Sequence, residues 1–336
     1  MRVLFIGGTG LISTACTKLA IERGIDLWLL NRGRSRTDRV PPEATVLTAD
    51  ARDGDAVADA IEGRRFDVVV DWIAFTPEHV EQDIELFGEM VEQYIFISSA
   101  SAYQKPPSDY RITESTPLRN PYWRYSRDKA ACEERLLREY RENGFPYTVV
   151  RPSLTYGPSM IPVCVGSWNK PWTIVDRMRR GKKIIVPGDG TSLWQVTWNG
   201  DFAKGLVGLL GNRHAIGHAF HITTDEVLSW NQIYEEVGRA AGVEPDIIHI
   251  PTDLLVAHMP GEEGNLWGDK SWSVVLDNSK IKRFVPDFCA TTTFARGVRR
   301  SVAWFEEDPE RQAIDEDANG TWDRIIEAYH KAWPSE

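Results

Sequence analysis

Val3-Leu4-Phe5-Ile6-Gly7-Gly8-Thr9-Gly10-Leu11-Ile12-Ser13 opens the chain as an apolar run that breaks into clustered glycines and resumes as a helical pattern. Ile12, Ala15, Cys16, Leu19 and Ala20 share one helical face, and Gly24 closes the helix. An ordinary strand-to-helix turn has the same outline, but the glycine spacing suits a turn that seats a dinucleotide. In Gly7-x-x-Gly10-x-x-Ser13 the first glycine permits the tight turn and the second lets backbone N–H groups approach a pyrophosphate. The third position needs only a small residue, and serine there can also cap the turn or bond a phosphate oxygen. The expected cofactor contacts in this turn are Gly7, Thr9, Gly10, Leu11 and Ile12.

Strand-like runs recur at Leu27–Leu30, Thr45–Leu47, Val68–Val70, Tyr94–Ile97 and Tyr147–Val150, with helical patterns between them. Such alternation builds a parallel sheet covered by helices on both faces. The expected fold is α/β: a Rossmann-type doubly wound parallel sheet with a smaller C-terminal substrate lobe. From about Arg151 the texture changes, with Pro152, Pro158, Pro162, Gly166 and Pro171 interrupting the chain. Sheet-like patterns return at Lys183–Val186 and His218–Ile222. Helices fit Pro171–Arg180, Asp201–Leu210 and Trp230–Ala241, while His258–Lys270 reads as loop. The expected division is residues 1–155 as the NAD(P)-binding unit, joined by about 183–225, with 156–182 and 226–336 as the substrate-binding lobe.

The chain has 336 residues, 42% hydrophobic and 26% charged, which suits a soluble globular protein of one large and one smaller unit. A net charge of −10 repels phosphate backbones and argues against a general nucleic-acid binder. Apolar runs fall short of a membrane span and Met1-Arg2 leads straight into a strand, so a cytoplasmic protein is expected. Cys16, Cys132, Cys164 and Cys289 lie far apart and read as reduced thiols, not a disulfide frame or a zinc site.

The second strand ends at Asn31-Arg32, where an acid would bond the adenosine ribose 2′-hydroxyl. Asn31 can still bond a hydroxyl, and Arg32, with Arg34 of the basic run 32–36, can pair with a 2′-phosphate, so the cofactor expected is NAD(P), leaning to NADP. Asp50, followed by Ala51, ends the third strand at the adenine side; a turn cap is its other reading.

Tyr125 and Lys129, four apart, share one face of a helix. Alone this is a common exposed pair. Here the strand Ile95-Phe96-Ile97 delivers Ser98-Ser99-Ala100-Ser101 to the carboxyl edge of the sheet, where ligands bind. A phenol with a pKa near 10 is a poor base, and a nearby ammonium, helped by the cofactor's positive ring, is expected to bring Tyr125 toward its working range. A serine hydroxyl can stabilise the developing charge on the substrate oxygen.

With these residues in view, the chain resembles an extended, atypical short-chain dehydrogenase/reductase of the NAD-dependent epimerase/dehydratase family. The resemblance rests on GGTGLIS at 7–13, FISSASAY at 96–103, YSRDK at 125–129 and VVRPSLTYGP at 149–158, with PGDG at 187–190 and DNSKI at 277–281. It implies Ser99, Tyr125 and Lys129 as the catalytic set, with Ser98 and Ser101 as fallback hydroxyls, and Pro152 and Ser153, after Arg151 and before Leu154, beside the nicotinamide. Two departures stand out. Trp194 occupies the place where sugar-nucleotide members carry a diphosphate-gripping arginine. Ala100-Ser101 follows the catalytic hydroxyl where dehydratases place Asp-Glu, which argues against dehydration. The layout is also similar to the chloroplast stem-loop-binding proteins, of like fold and nucleic-acid role.

Seven of the 13 tryptophans fall between Trp168 and Trp272. Indole faces suit the C–H faces of a sugar, though large aromatics also simply fill cores. Trp72, Ser101, Trp168 and Trp194 are the substrate-side candidates. His79 falls at a helix start near the pocket mouth. His214, His218 and His221 cluster, but successive strand positions face opposite ways, so no metal site is expected. The function expected is an NAD(P)-dependent epimerase or oxidoreductase acting on a carbohydrate or sugar-derived small molecule. The alternatives are a simple NADP-dependent carbonyl reductase and a non-catalytic nucleotide- or RNA-binding scaffold. Apolar stripes on Pro77–Val91 and Arg124–Arg141 fit either a homodimer or packing on their own sheet.

Overall fold

β4 (Val68–Asp71) shows why the sheet forms where it does: Val68, Val69 and Val70 are all fully buried, as a parallel strand covered on both faces requires. A computed structural model describes residues 1–34, 37–88 and 90–332. In it β4 joins β1 (Arg2–Ile6), β2 (Asp26–Asn31), β3 (Thr45–Thr48), β5 (Gln93–Ile97), β6 (Tyr147–Val150) and β7 (Ala219–Phe220) in a seven-stranded sheet. The order is β7-β6-β5-β4-β1-β2-β3, and neighbouring strands run parallel. The order reverses direction at β1 and β4, so a crevice opens beyond their carboxyl ends.

Alternate residues feed two cores. Val3, Phe5, Leu29, Val70 and Ile97 lie on one face, and Leu4, Ile6, Leu30, Val69 and Phe96 on the other. α1 (Ser13–Glu22) packs against α5 (Asn199–Leu209) over the first face. α2 (Gly54–Ile61), α3 (Pro77–Phe87) and α4 (Arg124–Asn143) cover the second. Val80, Ile84 and Phe87 of α3 and Cys132 and Leu136 of α4 are buried in that second core, so their stripes are spent on the chain's own sheet.

A third core gathers residues from 156 onward, including Trp172, Ile184, Ile185, Trp230, Val298 and Trp322. Two expectations are corrected here. The strand Ile184–Pro187 does not extend the main sheet; it pairs in parallel with Ile247–Ile250 and is buried in the third core. Its partner lies some sixty residues downstream, beyond the reach of a local pattern. The segment 258–270 is not loop: short helical turns at Pro260–Glu262 and Glu263–Asn265 run into a π-helical turn at Leu266–Lys270. Its glycines are there for packing. A Cβ on Gly264 would stand 2.4 Å from the Trp123 ring, and one on Gly268 would stand 3.1 Å from the Trp123 Cβ.

Candidate active site

The glycine turn forms one wall of a cleft of about 910 Å³ at the crevice of the sheet. Gly7 and Gly8 adopt φ of +103° and +100°, and a Cβ on Gly8 would come within 2.7 Å of Leu29, so the backbone lies where a side chain would not fit. Three hydroxyls of α1 brace the turn. Gly10 N–H donates to Ser13 Oγ (2.8 Å), Thr14 Oγ1 donates to the Gly10 carbonyl (2.7 Å) and Thr17 Oγ1 to the Gly8 carbonyl (2.8 Å). Ser13 thus acts within the turn itself. The positive end of α1 faces the cleft, a setting that favours phosphate.

Asn31, Arg32, Gly33, Arg34, Asp50 and Ala51 continue the lining, with Thr9, Leu11, Ile12, Pro152 and Ser153. With its amide oriented to satisfy its neighbours, Asn31 donates to the carbonyls of Gly7 (2.8 Å) and Leu30 (3.2 Å). Asp50 accepts from the Arg52 N–H at 3.1 Å as a turn cap. Arg32 and Arg34 are exposed at the rim; Ser35 and Arg36 of the same basic run lie outside the described residues. Trp72 lines this cleft, edge-on to Phe5, and does not line the substrate cavity described below. Its indole Nε1 is buried without a hydrogen-bond partner. The glycine cradle and this orphaned donor fit a dinucleotide, and 7–12, 31–32, 50–51 and 152–153 line the cleft where they could hold it.

β5 and α4 bring the catalytic candidates together at the floor of the cleft, which Ser99, Tyr125 and Lys129 all line. Lys129 is 1% exposed, and its Nζ donates to the carbonyls of Ala74 and Ile97, both at 2.6 Å. It lies 4.8 Å from the Phe75 ring centroid, 4.7 Å from Phe96 and 5.8 Å from Tyr125. Burial lowers its pKa to about 8. The phenol of Tyr125 moves the other way. Burial pushes it up, the Ser99 hydroxyl opposes this, and the charge of Asp269 adds to the rise. Among the chain's own groups burial is the largest influence on the phenol; the expected lowering invoked the cofactor's positive ring as well as Lys129.

The serines separate by their partners. Ser98 Oγ donates to Glu133 Oε1 (2.5 Å) and is committed to the buried Glu133–Arg151 ion pair. Ser99 shares a 2.8 Å hydrogen bond with Ser101 Oγ, which in turn accepts from Ser126 Oγ at 2.7 Å. His79 is a helix cap: its Nδ1 accepts from the Phe75 and Thr76 N–H groups at 3.1 and 3.3 Å. His221 is buried against Tyr103 and bonded to the Asp277 carbonyl, while His218 lies against Phe284, so the histidines do not converge.

Beyond Tyr125 the cleft opens into a cavity of about 360 Å³. Ser99, Tyr125, Pro152, Ser153, Leu154 and Trp168 border both spaces. Trp168 is 53% exposed on their shared rim. Trp194 is 2% exposed, its Nε1 donating to the Trp272 carbonyl at 2.9 Å, and Ser101 completes the expected lining. Sequence reasoning missed Trp123, Asp269 and Lys270, which also line the cavity. The π-helical turn that carries the last two is held by two side chains, one of which also ties it to the serine segment. Asn120 Nδ2 donates to the Gly268 carbonyl (2.6 Å) and to the Ser101 carbonyl (2.7 Å), and Trp230 Nε1 donates to the Lys270 carbonyl (2.9 Å). Gly264 and Gly268 within a proline- and acid-containing segment were the signal that could have found them.

A family model described as the NAD dependent epimerase/dehydratase family matches residues 3–223. The chain belongs to that family. Among its curated relatives is the chloroplast stem-loop binding protein of 41 kDa b of Arabidopsis thaliana, 28% identical over 74% of the chain. The match spans 65% of that relative's length. A putative UDP-glucose 4-epimerase of Methanocaldococcus jannaschii is 26% identical, covering 74% of this chain and 85% of its own. Among solved structures, dTDP-glucose 4,6-dehydratase of Bacillus anthracis in complex with NAD superimposes with a TM-score of 0.73 at 20% identity, covering 92% and 98% of the two chains. UDP-glucose 4-epimerase of Thermus thermophilus in complex with NAD gives 0.72 at 22% identity, covering 91% and 99%. These likenesses establish the fold.

Proposed function

We propose that this family member is an NAD(P)-dependent epimerase or oxidoreductase acting on a carbohydrate or sugar-derived substrate, with Tyr125 as the proton-transferring group. One observation carries the reading: Tyr125 stands on the boundary between the glycine-walled cleft and the aromatic cavity, beside Ser99. The names of the relatives, sugar-nucleotide epimerases among them, support the substrate class.

When bound, the nicotinamide supplies an acceptor and donor of hydride. The chain's residues do the rest. Tyr125 takes the proton of a substrate hydroxyl as its carbon is oxidised, and returns it on reduction. Ser99 donates to the substrate oxygen as it gains carbonyl character. Lys129, fixed by two carbonyls, keeps a positive charge under the phenol. Because burial raises the Tyr125 pKa, the phenol is the proton donor at rest, and oxidation calls on additional positive charge in the cleft. An epimerase would hold the keto form and turn it; a dehydrogenase or carbonyl reductase would exchange it with solvent. The two solved neighbours hold NAD. The exposed Arg32 and Arg34 and the absent ribose-binding acid lean to NADP.

Substrate-dependent turnover of Tyr125→Phe is expected to fall by ~10²–10⁴-fold with dinucleotide affinity retained. Undiminished turnover would remove Tyr125 from the mechanism. The stem-loop-binding relative supports a second reading, a scaffold for RNA. A salt-sensitive RNA mobility shift together with no dinucleotide binding would favour it, against the net charge of −10.

A further inference from the structure

The cavity beyond Tyr125 holds a balanced pair of charges and little room. Among the described residues that line it, Asp269 and Lys270 are the only charged side chains. They belong to each other: Lys270 Nζ lies 3.4 Å from Asp269 Oδ2 and also donates to Asn265 Oδ1 at 2.5 Å. The ammonium sits 5.3 Å from the Trp168 ring centroid and 5.9 Å from that of Trp194. Lys270 is 2% exposed and its charge is balanced by Asp269 within the wall, so the cavity offers no net positive charge to a multiply charged ligand. Trp123 lies 5.1 Å from the Tyr125 ring and adds a further indole to the same wall.

Each part of this wall has a defined preference. Indole faces take up the C–H faces of a pyranose or furanose by dispersion and burial. A carboxylate accepts from two hydroxyls at once, and an ammonium with a remaining proton donates to a third oxygen. A diphosphate brings two or more negative charges, and buried charge without a partner is strongly disfavoured. The cavity, at about 360 Å³, also stands at the low end of the ~300–1,000 Å³ typical of ligand sites. A π-helical turn, a feature frequent at functional sites, presents both charged residues.

We infer that this cavity takes a single neutral sugar unit without a nucleoside diphosphate, stacked on Trp168 and Trp123 and read by the Asp269–Lys270 pair. The inference rests on the reading of Tyr125 as the reacting group and adds the substrate class. It also assigns Asp269 as the residue that selects hydroxyls. Neither the family nor the names of the relatives imply it, since those relatives are named for nucleotide sugars.

The test is calorimetric titration of the full chain, loaded with its dinucleotide, with D-glucose, D-galactose, D-mannose and D-xylose, and separately with UDP and dTDP. At least one aldose is expected to bind, and neither nucleotide is expected to bind or to displace it. Asp269→Asn is expected to weaken the aldose about tenfold or more while leaving dinucleotide affinity unchanged, which also reports that the variant is folded. Binding of UDP or dTDP in competition with a sugar, lost in Lys270→Met, would overturn the inference. So would silence of all four aldoses. If a nucleotide sugar were turned over and Tyr125→Phe abolished that turnover, the chemistry proposed for Tyr125 would stand and this assignment alone would fall.

Discussion

Two buried titrating groups frame the chemistry at the level of single side chains. Lys129 titrates at about 8 because burial disfavours its charge, so the ammonium is present below that pH and lost above it. In the carbonyl-reducing direction, kcat/KM is expected to fall as pH rises through about 8. Lys129→Met is expected to remove that limb and to lower the rate at neutral pH, measured as a pH–rate profile of each protein. Beneath the loop that holds Lys129 lies a second device. Asp71 Oδ1 accepts the Ile73 and Ala74 N–H groups, and the Ala74 carbonyl is one of the two that hold Lys129. Asp83, buried and facing Asp71, accepts from the Tyr94 hydroxyl at 2.5 Å, and burial together with the neighbouring Asp71 raises its pKa well above 3.8. The folded state then holds a proton that the unfolded chain releases. The contribution of Asp83 to stability is expected to decline as pH rises above about 3.8, until the raised folded value is passed. Asp83→Asn keeps a donor toward Asp71 and cannot ionise. Its melting temperature is expected to lose that slope across a pH series.

Helices and strands meet closely at glycines, and there the cost of a methyl group can be forecast. The helix Phe294–Glu306 crosses Tyr156 at Gly297, where a Cβ would stand 2.0 Å from the phenol oxygen and 3.1 Å from the Trp198 ring. Tyr156 is buried and its hydroxyl donates to the Phe294 carbonyl at 3.3 Å, so it has little room to retreat. Gly297→Ala is expected to lose ~1–3 kcal/mol, read as a lower denaturant midpoint at unchanged slope. These contacts also mark how far sequence reasoning reached. The strands β1 to β6 and the helix after the glycine turn were legible because alternation, apolar runs and glycine stops are local signals. The pairing of Ile184–Pro187 with Ile247–Ile250 was not, since the partner is chosen by tertiary packing. In the candidate site Tyr125 and Lys129 were named from their spacing and Ser99 from the family resemblance, whereas Asp269 and Lys270 were not. Their place depends on Trp123, Asn120 and Trp230, which are distant in sequence.

The molecule as a whole joins the glycine-walled cleft to a smaller cavity, with one core beneath each face of the sheet and a third core behind the cavity. A ligand that fills the cleft bridges the glycine turn, α4 and the chain after β6, and therefore stabilises the fold by mass action. At a hundredfold excess over its dissociation constant a dinucleotide is expected to add ~2.7 kcal/mol, seen as a raised melting temperature. Arg32→Asp is expected to shrink that rise for NADP and to spare it for NAD; equal shifts with both would remove the argument for a 2′-phosphate contact. Acid acts through His221, whose pKa burial lowers from 6.5 to about 3. The unfolded chain binds this proton first, so the contribution of His221 to stability is expected to fall as pH drops from about 6.5 toward 3, and His221→Gln is expected to remove that component from a pH series of melting temperatures. Trp168, more than half exposed on the rim common to both compartments, carries a practical corollary. Its emission is a built-in lamp that either visitor shades, a reduced nicotinamide by energy transfer and a carbohydrate by displacing water. Subtracting the spectrum of a Trp168→Phe protein would isolate that one lamp from the other indoles and reveal, without any label, which guest arrives first.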